Sequence, residues 1–456
     1  MVSLPLLHAL GGRADLPIPV WLFGWGAGIV LVLSFVALAS LWRRPRYEDV
    51  RPRPLDGPVS RALASRWAEG LAGLAGVFLL GVTVWAGLVG TDIVTDNFTP
   101  TFVFVIFWTG LVPLSILLGD VYRAFNPWRA IGRATGWLLS RGATGPPPEA
   151  LPYPGRLGYL PAALGLIAFA WLELIARGGQ TPRNLAAATL VYSGITFVGM
   201  ALYGVEAWTA RAESFSVYFG FFGRMAPFTR VDGRIAVRPF LSGLPSIERA
   251  PFLTLVLAAM LGTVTYDGFQ EGSIWRDLAP SIQDGLDGAF GDEGARLFTE
   301  GLGLLGAIAV LWAFYQLGCV GIRRVTGGSA RELADGFAHS LVPIASAYVL
   351  AHYATFLVFQ GQGMGSLLSD PLGQGWDLFG TAHLGIDFGI INATQTWYLQ
   401  VALVVVGHVG GLVLAHDRAL ARFRDGRAAW RSQLWMLGIM VAFTCFALWL
   451  LTQANR

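Results

Sequence analysis

TWYLQVALVVVGHVGGLVLAH, residues 396–416, contains no Asp, Glu, Lys or Arg over 21 positions. An α-helix rises about 1.5 Å per residue, so this stretch would form a helix about 31 Å long. That length matches the hydrocarbon core of a bilayer, which is about 30 Å thick. The stretch therefore predicts a helix that crosses a membrane.

Nine further windows have the same apolar character and are each about 20 residues long. We therefore predict an all-α, polytopic integral membrane helix bundle with about ten transmembrane helices, forming a single membrane domain over residues 1–456. The ten windows are 20–42, 70–89, 101–119, 159–176, 185–208, 251–266, 301–322, 337–360, 396–416 and 433–452.

The composition agrees with this fold class. Of the 456 residues, 54% are hydrophobic and 13% are charged, whereas a soluble domain has about 25% charged residues. Lipid rather than water must cover much of the surface of such a protein. The expected partner is the lipid bilayer, with partner membrane subunits as a further expectation and no nucleic acid.

The arginines predict which loops face the cytoplasm. All 32 basic residues are Arg, and 26 of them lie in alternate loops between the windows. The positive-inside rule makes these loops cytoplasmic, so that with ten spans both chain ends lie outside (N-out/C-out). We expect the bacterial cytoplasmic membrane. The Arg-rich loops are 43–69, 120–158, 209–250, 323–336 and 417–432.

Four segments outside the windows have distinctive sequences. AFNPWRAIGRATGWLLSR (124–141) and SFSVYFGFFGRMAPF (214–228) combine aromatic residues with arginine, which predicts helices in the headgroup plane. On the outer side, 267–300 is expected to be an acidic loop with eight acidic residues. The outer loop 361–395 is Gly-rich and 35 residues long, and long connections of this kind are often functional.

The absence of lysine and the small number of cysteines exclude several kinds of site. Without lysine the chain cannot form a Schiff base with retinal or pyridoxal phosphate, and it cannot build a Walker A loop. Two cysteines, Cys319 and Cys445, are too few for the four thiolates of an iron–sulfur cluster. We expect both to pack as small apolar residues.

Histidine is concentrated in the C-terminal third of the chain, where five of the six histidines lie between residues 339 and 416. Neutral imidazole binds transition metals and haem iron and titrates near neutral pH, and ionisable residues within a bilayer are functional candidates. We predict a cofactor site for haem b, copper or another transition metal, with ligands among His339, His352, His408 and His416.

Helix positions suggest how these histidines would be grouped. His339 and His416 are expected near the inner face, His408 midway, and His352 with His383 near the outer face. Two axial haem ligands should lie at similar depth. The expected depths therefore favour an inner and an outer site, or a relay between them, over a central haem with two histidine ligands.

A metal or catalytic site is also predicted on the outer side. His383 and Asp387 are four residues apart and would share one face if that segment were helical. Together with His352 they would suit a metal site, or a general base with its orienting partner. Met364 and His8 could complete a copper site there.

A structural interpretation accompanies each of these functional ones. A histidine inside a membrane bundle can simply bridge two helices, and His408 lies within Gly407-x-x-x-Gly411, a small-residue motif that brings helices close together. Glu173 is the only acidic residue well inside a window. It could titrate during transport or pair with an arginine such as Arg177 one helical turn later, and we predict the pair.

Four stretches carry a resemblance to a known group. The chain resembles bacterial multi-span membrane proteins that carry the label fenitrothion hydrolase, and the resemblance covers nearly the whole chain. The stretches are HALGGRADLPIPVWLFGWGAGIVLVLSFVAL (8–38), LLGDVYRAFNPWRAIGR (117–133), HSLVPIASAYVLAHY (339–353) and WYLQVALVVVGHVGGLVLAH (397–416).

The resemblance implies hydrolysis of an organophosphate triester. Such chemistry usually needs a metal-activated hydroxide, to which His352, His383, Asp387 and His8 could contribute. Three functions are therefore considered. The first is a His-lined metal or haem protein in membrane redox or copper handling, the second is this hydrolase, and the third is a transporter or non-catalytic subunit whose histidines bridge helices or relay protons.

Overall fold

The structure, a computed structural model, describes residues 20–142, 149–423 and 426–454. Within these ranges ten principal helices follow one another along the chain. They are α1 (Val20–Leu41), α2 (Arg66–Val89), α3 (Phe98–Leu118), α4 (Leu160–Leu174), α5 (Pro182–Tyr203), α6 (Leu253–Gln270), α7 (Ser273–Thr326), α8 (Ala330–His352), α9 (Ala393–Arg422) and α10 (Gly426–Ala454).

Each of the ten apolar windows coincides with one of these helices. Among the described residues, eight helices are long and apolar enough to cross a membrane. The other two are α4, which has only 15 residues, and α6. Most residues of α6 are buried by neighbouring helices, including α4, α7, α8 and α10. Because α6 is enclosed by protein, it does not need the apolar surface that contact with lipid requires. Its threonines are compatible with this position.

Two helices contain local departures from α geometry. Residues Thr101–Gly110 of α3 are wound as a π-helix, and a second π-helical segment, Phe356–Gln360, follows α8. Within α8, a 3₁₀ turn at Ala338–Ser340 separates two α-helical parts. The last part of α8 runs from Leu341 to His352. His352 therefore ends the helix, and Tyr353 follows it directly.

The segment 267–300 is not a loop, contrary to our expectation. Helix α6 continues through Asp267 to Gln270, and α7 starts at Ser273. A kink at Gly291, where φ is 67°, divides α7 into a polar first part and an apolar second part. A residue with a side chain rarely adopts such a φ, so glycine permits the bend.

Helices α8 and α9 pack very closely. A Cβ atom at Gly407 would lie 2.2 Å from the Cβ of Ala347 and 2.7 Å from the carbonyl oxygen of Pro343. A Cβ at Gly411 would lie 2.7 Å from the carbonyl oxygen of Ser340. The prediction that Gly407-x-x-x-Gly411 is a helix-packing motif is therefore confirmed.

The Arg-rich loops meet on one face of the bundle, which we call the Arg-rich face. A small antiparallel sheet of order β1-β3-β2 joins two of these loops, with β1 at Arg53–Pro54, β2 at Phe228–Val231 and β3 at Arg234–Val237. Further loops are joined by ion pairs or hydrogen bonds, namely Arg418 with Glu48 at 2.7 Å, Arg422 with Glu332 at 3.3 Å and Asn126 with Glu213 at 3.0 Å.

The remaining connections meet at the other end of the helices, which we call the Gly-rich face. Thr91 donates its backbone N–H to Leu372, and Phe98 donates to Pro371. The guanidinium of Arg177 pairs with Glu293 at 2.8 Å. The connection after α2 therefore contacts segment 361–395, and the connection after α4 contacts the first part of α7.

Short helices complete the Arg-rich face. They lie at Pro58–Leu63, Val121–Phe125, Pro127–Gly142, Val205–Arg211 and Ser214–Gly223. The helix Ser214–Gly223 corrects the prediction that segment 214–228 lies in the headgroup plane. Eight of the ten residues of Ser214–Gly223 are buried, so this helix is part of the core and does not lie in the headgroup plane. The carboxylate of Glu213 caps it by accepting from the N–H groups of Phe215 and Ser216. In contrast, the last part of Pro127–Gly142 is exposed, as an interfacial helix requires.

Candidate functional site

An aspartate, a histidine and a tyrosine meet between α6 and the end of α8. The Nε2 atom of His352 lies 2.9 Å from Oδ2 of Asp267, and the hydroxyl of Tyr353 donates to the same oxygen at 2.7 Å. Gln270 donates to the other carboxylate oxygen at 3.2 Å. We call Asp267, His352 and Tyr353 the acid–imidazole cluster.

The cluster is shielded from the surroundings. The side chain of Asp267 is 1% exposed and that of His352 is 11% exposed. Burying a carboxylate is costly unless hydrogen-bond donors surround it. The His352 ring lies against α6 beside Asp267, since a Cβ at Gly268 would be in van der Waals contact with it, 3.5 Å from Cε1.

A second buried carboxylate lies beside the cluster. Glu173, near the end of α4, is 6% exposed, and it is close enough to Asp267 for their charges to interact. The predicted pairing of Glu173 with Arg177 is wrong, because Arg177 turns to Glu293. Two buried carboxylates, one of them bonded to an imidazole, therefore lie close enough to interact in the interior of the bundle.

Two buried polar atoms face this region without a hydrogen-bond partner among the described residues. They are the hydroxyl of Tyr218 and Nε1 of Trp108. The two rings are stacked with centroids 4.4 Å apart, and Tyr218 interacts electrostatically with Glu173 and Tyr353. Buried polar groups are normally satisfied, so this part of the interior is suited to a water molecule or a mobile proton.

The other predicted histidines of α8 and α9 lie apart from this cluster. The Nδ1 atom of His408 lies 2.8 Å from the backbone oxygen of Val404 in its own helix. His416 bridges α9 to Gln433 at 2.8 Å and to the backbone oxygen of Trp42 at 3.0 Å. His339 is buried at the 3₁₀ turn of α8, and its Nε2 has no partner in the described part of the chain. For His416 the helix-bridging interpretation therefore applies.

The predicted outer pair is not arranged as a site. Residues 381–390 are not helical, and both His383 and Asp387 are exposed. The Oδ1 atom of Asp387 accepts from the N–H of Gly389 at 2.7 Å, which closes a local turn. The condition for a shared helical face is therefore not met. His8 lies outside the described residues.

A resident metal ion needs several ligands that converge on one point. Across residues 20–142, 149–423 and 426–454, no group of three or more His, Cys, Asp or Glu side chains is arranged to hold a metal ion. His352, His383 and Asp387 do not fit the metal centre that the hydrolase resemblance implies, because His352 is bound to Asp267 while the other two are at the surface.

Sequence reasoning identified His352 and Glu173 but missed Asp267, Tyr353, Tyr218 and Trp108. Asp267 follows directly after the window 251–266, and we assigned it to an acidic loop. A signal was present, because Val256, Met260 and Asp267 follow one another at spacings of four and seven residues, which places them on one helical face. Tyrosine and tryptophan are common in membrane helices, so the other residues gave no comparable signal.

Comparison of the chain with protein-family models, with curated proteins and with solved structures finds no match.

Proposed function

We propose that the protein moves protons across a membrane, as a proton-coupled transporter or a proton-conducting subunit, and that Asp267 and His352 exchange the proton. The observation that supports this most directly is the 2.9 Å contact between the two side chains in the bundle interior. Ionisable groups are costly to keep between membrane helices, so a paired set there is a functional candidate by default.

The cluster geometry suits proton exchange. The two atoms that would share the proton, Nε2 of His352 and Oδ2 of Asp267, are already at hydrogen-bond distance. Tyr353 donates to the same carboxylate oxygen and keeps its position fixed. Glu173 provides a second acceptor, and the repulsion between two nearby carboxylates disfavours both being ionised at once. A proton that leaves His352 is therefore accepted by Asp267, whose charge interacts with that of Glu173.

The proposal includes ten crossings with both chain ends outside, in a bacterial cytoplasmic membrane. Loops that the positive-inside rule assigns to the cytoplasm lie together on the Arg-rich face, and the intervening connections lie together on the Gly-rich face. This alternation is what ten crossings require, and it supports counting α4 and α6 as spans. The acid–imidazole cluster then lies in the outer half of the bundle, because α6 runs outward from Leu253 to Gln270.

The test is proton flux into liposomes. Purified protein is reconstituted with a pH-sensitive dye in the lumen, and a potassium diffusion potential drives protons inward. We expect Asp267→Asn to slow acidification at least about tenfold relative to wild type, because the exchanging acid is lost. The control is Asp277→Asn, which changes an exposed acid on the same side. Equal rates for wild type and Asp267→Asn would refute the proposal.

The two other functions remain predictions with their own measurements. A haem b or copper site predicts a haem absorption band or stoichiometric metal in the detergent-purified protein. Organophosphate triester hydrolysis predicts turnover of a nitrophenyl phosphotriester that is lost in His383→Ala. The exposed positions of His383 and Asp387, and the absence of a group of three metal-ligating side chains among the described residues, favour neither the hydrolase nor a copper centre, so the proton relay is our principal proposal.

A further inference from the structure

A narrow, partly open cavity lies between α6, α7, α8, α9 and α10. Its volume is about 50 Å³. Its wall is mostly apolar, but five of its lining residues carry a polar group in their side chains. The polar lining residues are Thr254, Thr265, Tyr315, Tyr348 and His408.

The acid–imidazole cluster does not itself line the cavity, but two lining residues lie close to it along the helices. Tyr348 lies four residues before His352 on α8, so the two side chains are one helical turn apart on the same face. Thr265 lies two residues before Asp267 on α6, and Tyr348 interacts electrostatically with Asp267. From Thr265 the lining follows α6 to Thr254, a distance of about 16 Å along the helix axis. The cavity therefore leads from the cluster towards the Arg-rich face.

His408 contributes a proton acceptor to this cavity. Its Nδ1 lies 2.8 Å from the backbone oxygen of Val404, to which it donates a hydrogen bond. In a neutral imidazole the other nitrogen, Nε2, is then an acceptor. His408 is 2% exposed and lines the cavity, so a donor for Nε2 has to come from within the bundle.

Water is the donor that fits. One water molecule needs about 10–15 Å³ and two to four polar partners, and the cavity offers several times that volume with five polar side chains along it. Two of them are bonded elsewhere, since Tyr315 donates to the backbone oxygen of Ala334 and Thr254 accepts from Trp312. Thr265 and Tyr348, whose side chains interact with each other, and His408 are the groups nearest the cluster by helix position.

We infer that this cavity is hydrated and that His408 is the next proton acceptor after the acid–imidazole cluster, which rests on the proposed function. The O–H bond of protonated Asp267 breaks as water beside Tyr348 accepts the proton, and that water gives a proton to Nε2 of His408. The resulting imidazolium then releases its proton to water on the side of Thr254. One proton moves inward and no electrons are transferred.

The flux assay separates this inference from the proposed function. His408→Gln and Thr265→Val are each expected to slow acidification at least about tenfold, as Asp267→Asn does. The matched control is Thr444→Val, which removes a buried hydroxyl from α10 that bonds only within its own helix to Met440 and does not line the cavity. Slow flux in both cavity variants, with normal flux in the control, supports the inference.

Two outcomes overturn it. If Asp267→Asn stops flux while His408→Gln and Thr265→Val conduct like wild type, the proton leaves the cluster by another path and only the inference fails. If Asp267→Asn itself conducts normally, both the proposed function and the inference fail.

Hydration is measured independently of flux by hydroxyl-radical footprinting of the membrane-embedded protein, in which radiolysis of bound water labels buried side chains next to it. Tyr348 is expected to be labelled, whereas Tyr122, which is 2% exposed and lies away from the cavity, is expected to remain unlabelled. Equal protection of the two tyrosines would mean that the cavity is dry, which overturns the inference. This measurement uses the wild-type protein and does not depend on whether a variant folds.

Discussion

Asp267 is the residue on which the candidate site depends. Its carboxylate is the common acceptor for His352, Tyr353 and Gln270. Removing one member of a buried ionic or hydrogen-bonded set leaves its partners without compensation in a low-dielectric interior. The same carboxylate therefore has a structural and a proposed functional role. Asp267→Asn in the flux assay tests the functional role, and Asp267→Ala tests the structural role.

We predict that Asp267→Ala lowers the free energy of unfolding by about 3–5 kcal/mol, because the imidazole and the phenol lose their acceptor. Unfolding by denaturant in detergent micelles measures the change. Asp277→Ala, at an exposed position of α7, is expected to change stability by less than about 0.5 kcal/mol. Similar losses in the two variants would show that Asp267 is not held as described.

At the residue level the sequence indicated candidate residues better than it predicted contacts. Histidine clustering drew attention to His352, but the sequence alone could not show that its partner is Asp267, 85 residues earlier. Glu173 was recognised as an unusual buried acid, yet its assigned partner was wrong. A local i,i+4 rule favoured Arg177, whereas the packing of α4 against α6 places Glu173 near Asp267.

Among the elements, the contact of α8 with α9 positions both His352 and His408. Gly407 permits this contact, since a methyl group there would overlap Ala347 and the backbone of Pro343. We predict that Gly407→Ala destabilises the protein by about 1–3 kcal/mol through overpacking. Thermal unfolding in detergent measures it. The control is Gly438→Ala in α10, where a Cβ would meet nothing within 4 Å.

An unchanged melting temperature in Gly407→Ala would contradict the close approach of α8 and α9. A lower melting temperature in both glycine variants would instead reflect a general sensitivity of the bundle to substitution.

The elements were predictable where one physical requirement dominates. The apolar windows overlap all ten principal helices, eight of which are long and apolar enough to cross a membrane, because a helix that faces lipid must be apolar over the bilayer thickness. Apolar length failed for the first part of α7 and for Ser214–Gly223. The former is a polar helix, and the latter is a buried helix whose aromatic residues pack against α3 and α4. Length and hydropathy alone do not distinguish the first part of α7 from a loop. They also do not distinguish Ser214–Gly223 from an interfacial helix.

At the scale of the whole molecule, the two faces of the bundle make the topology testable. In a variant with Cys319 and Cys445 replaced by alanine, single cysteines are introduced as Asp232→Cys, on the exposed β2–β3 turn of the Arg-rich face, or as Gln374→Cys, on the Gly-rich face. A membrane-impermeant maleimide added to intact cells is expected to label only the second. Labelling of the Asp232→Cys variant alone would reverse the proposed orientation.

The charge pattern of the loops anticipated this arrangement, since loops that share an excess of arginine also share a face. It could not anticipate how the loops are joined. The strand pairing of Arg53 with Val237 and the ion pair of Arg418 with Glu48 connect segments that are remote in sequence. The proposed function depends on such long-range contacts too, and for that reason composition restricted the fold class much more than the chemistry.

The central claim is that Asp267 gains and loses a proton inside the bundle. Infrared difference spectroscopy of the reconstituted protein, recorded while the pH is stepped, detects the carbonyl stretch of a protonated carboxylic acid directly. We predict a carboxylic acid band that titrates in wild type and in Asp277→Asn but is absent from Asp267→Asn. The same titrating bands in all three proteins would contradict the claim.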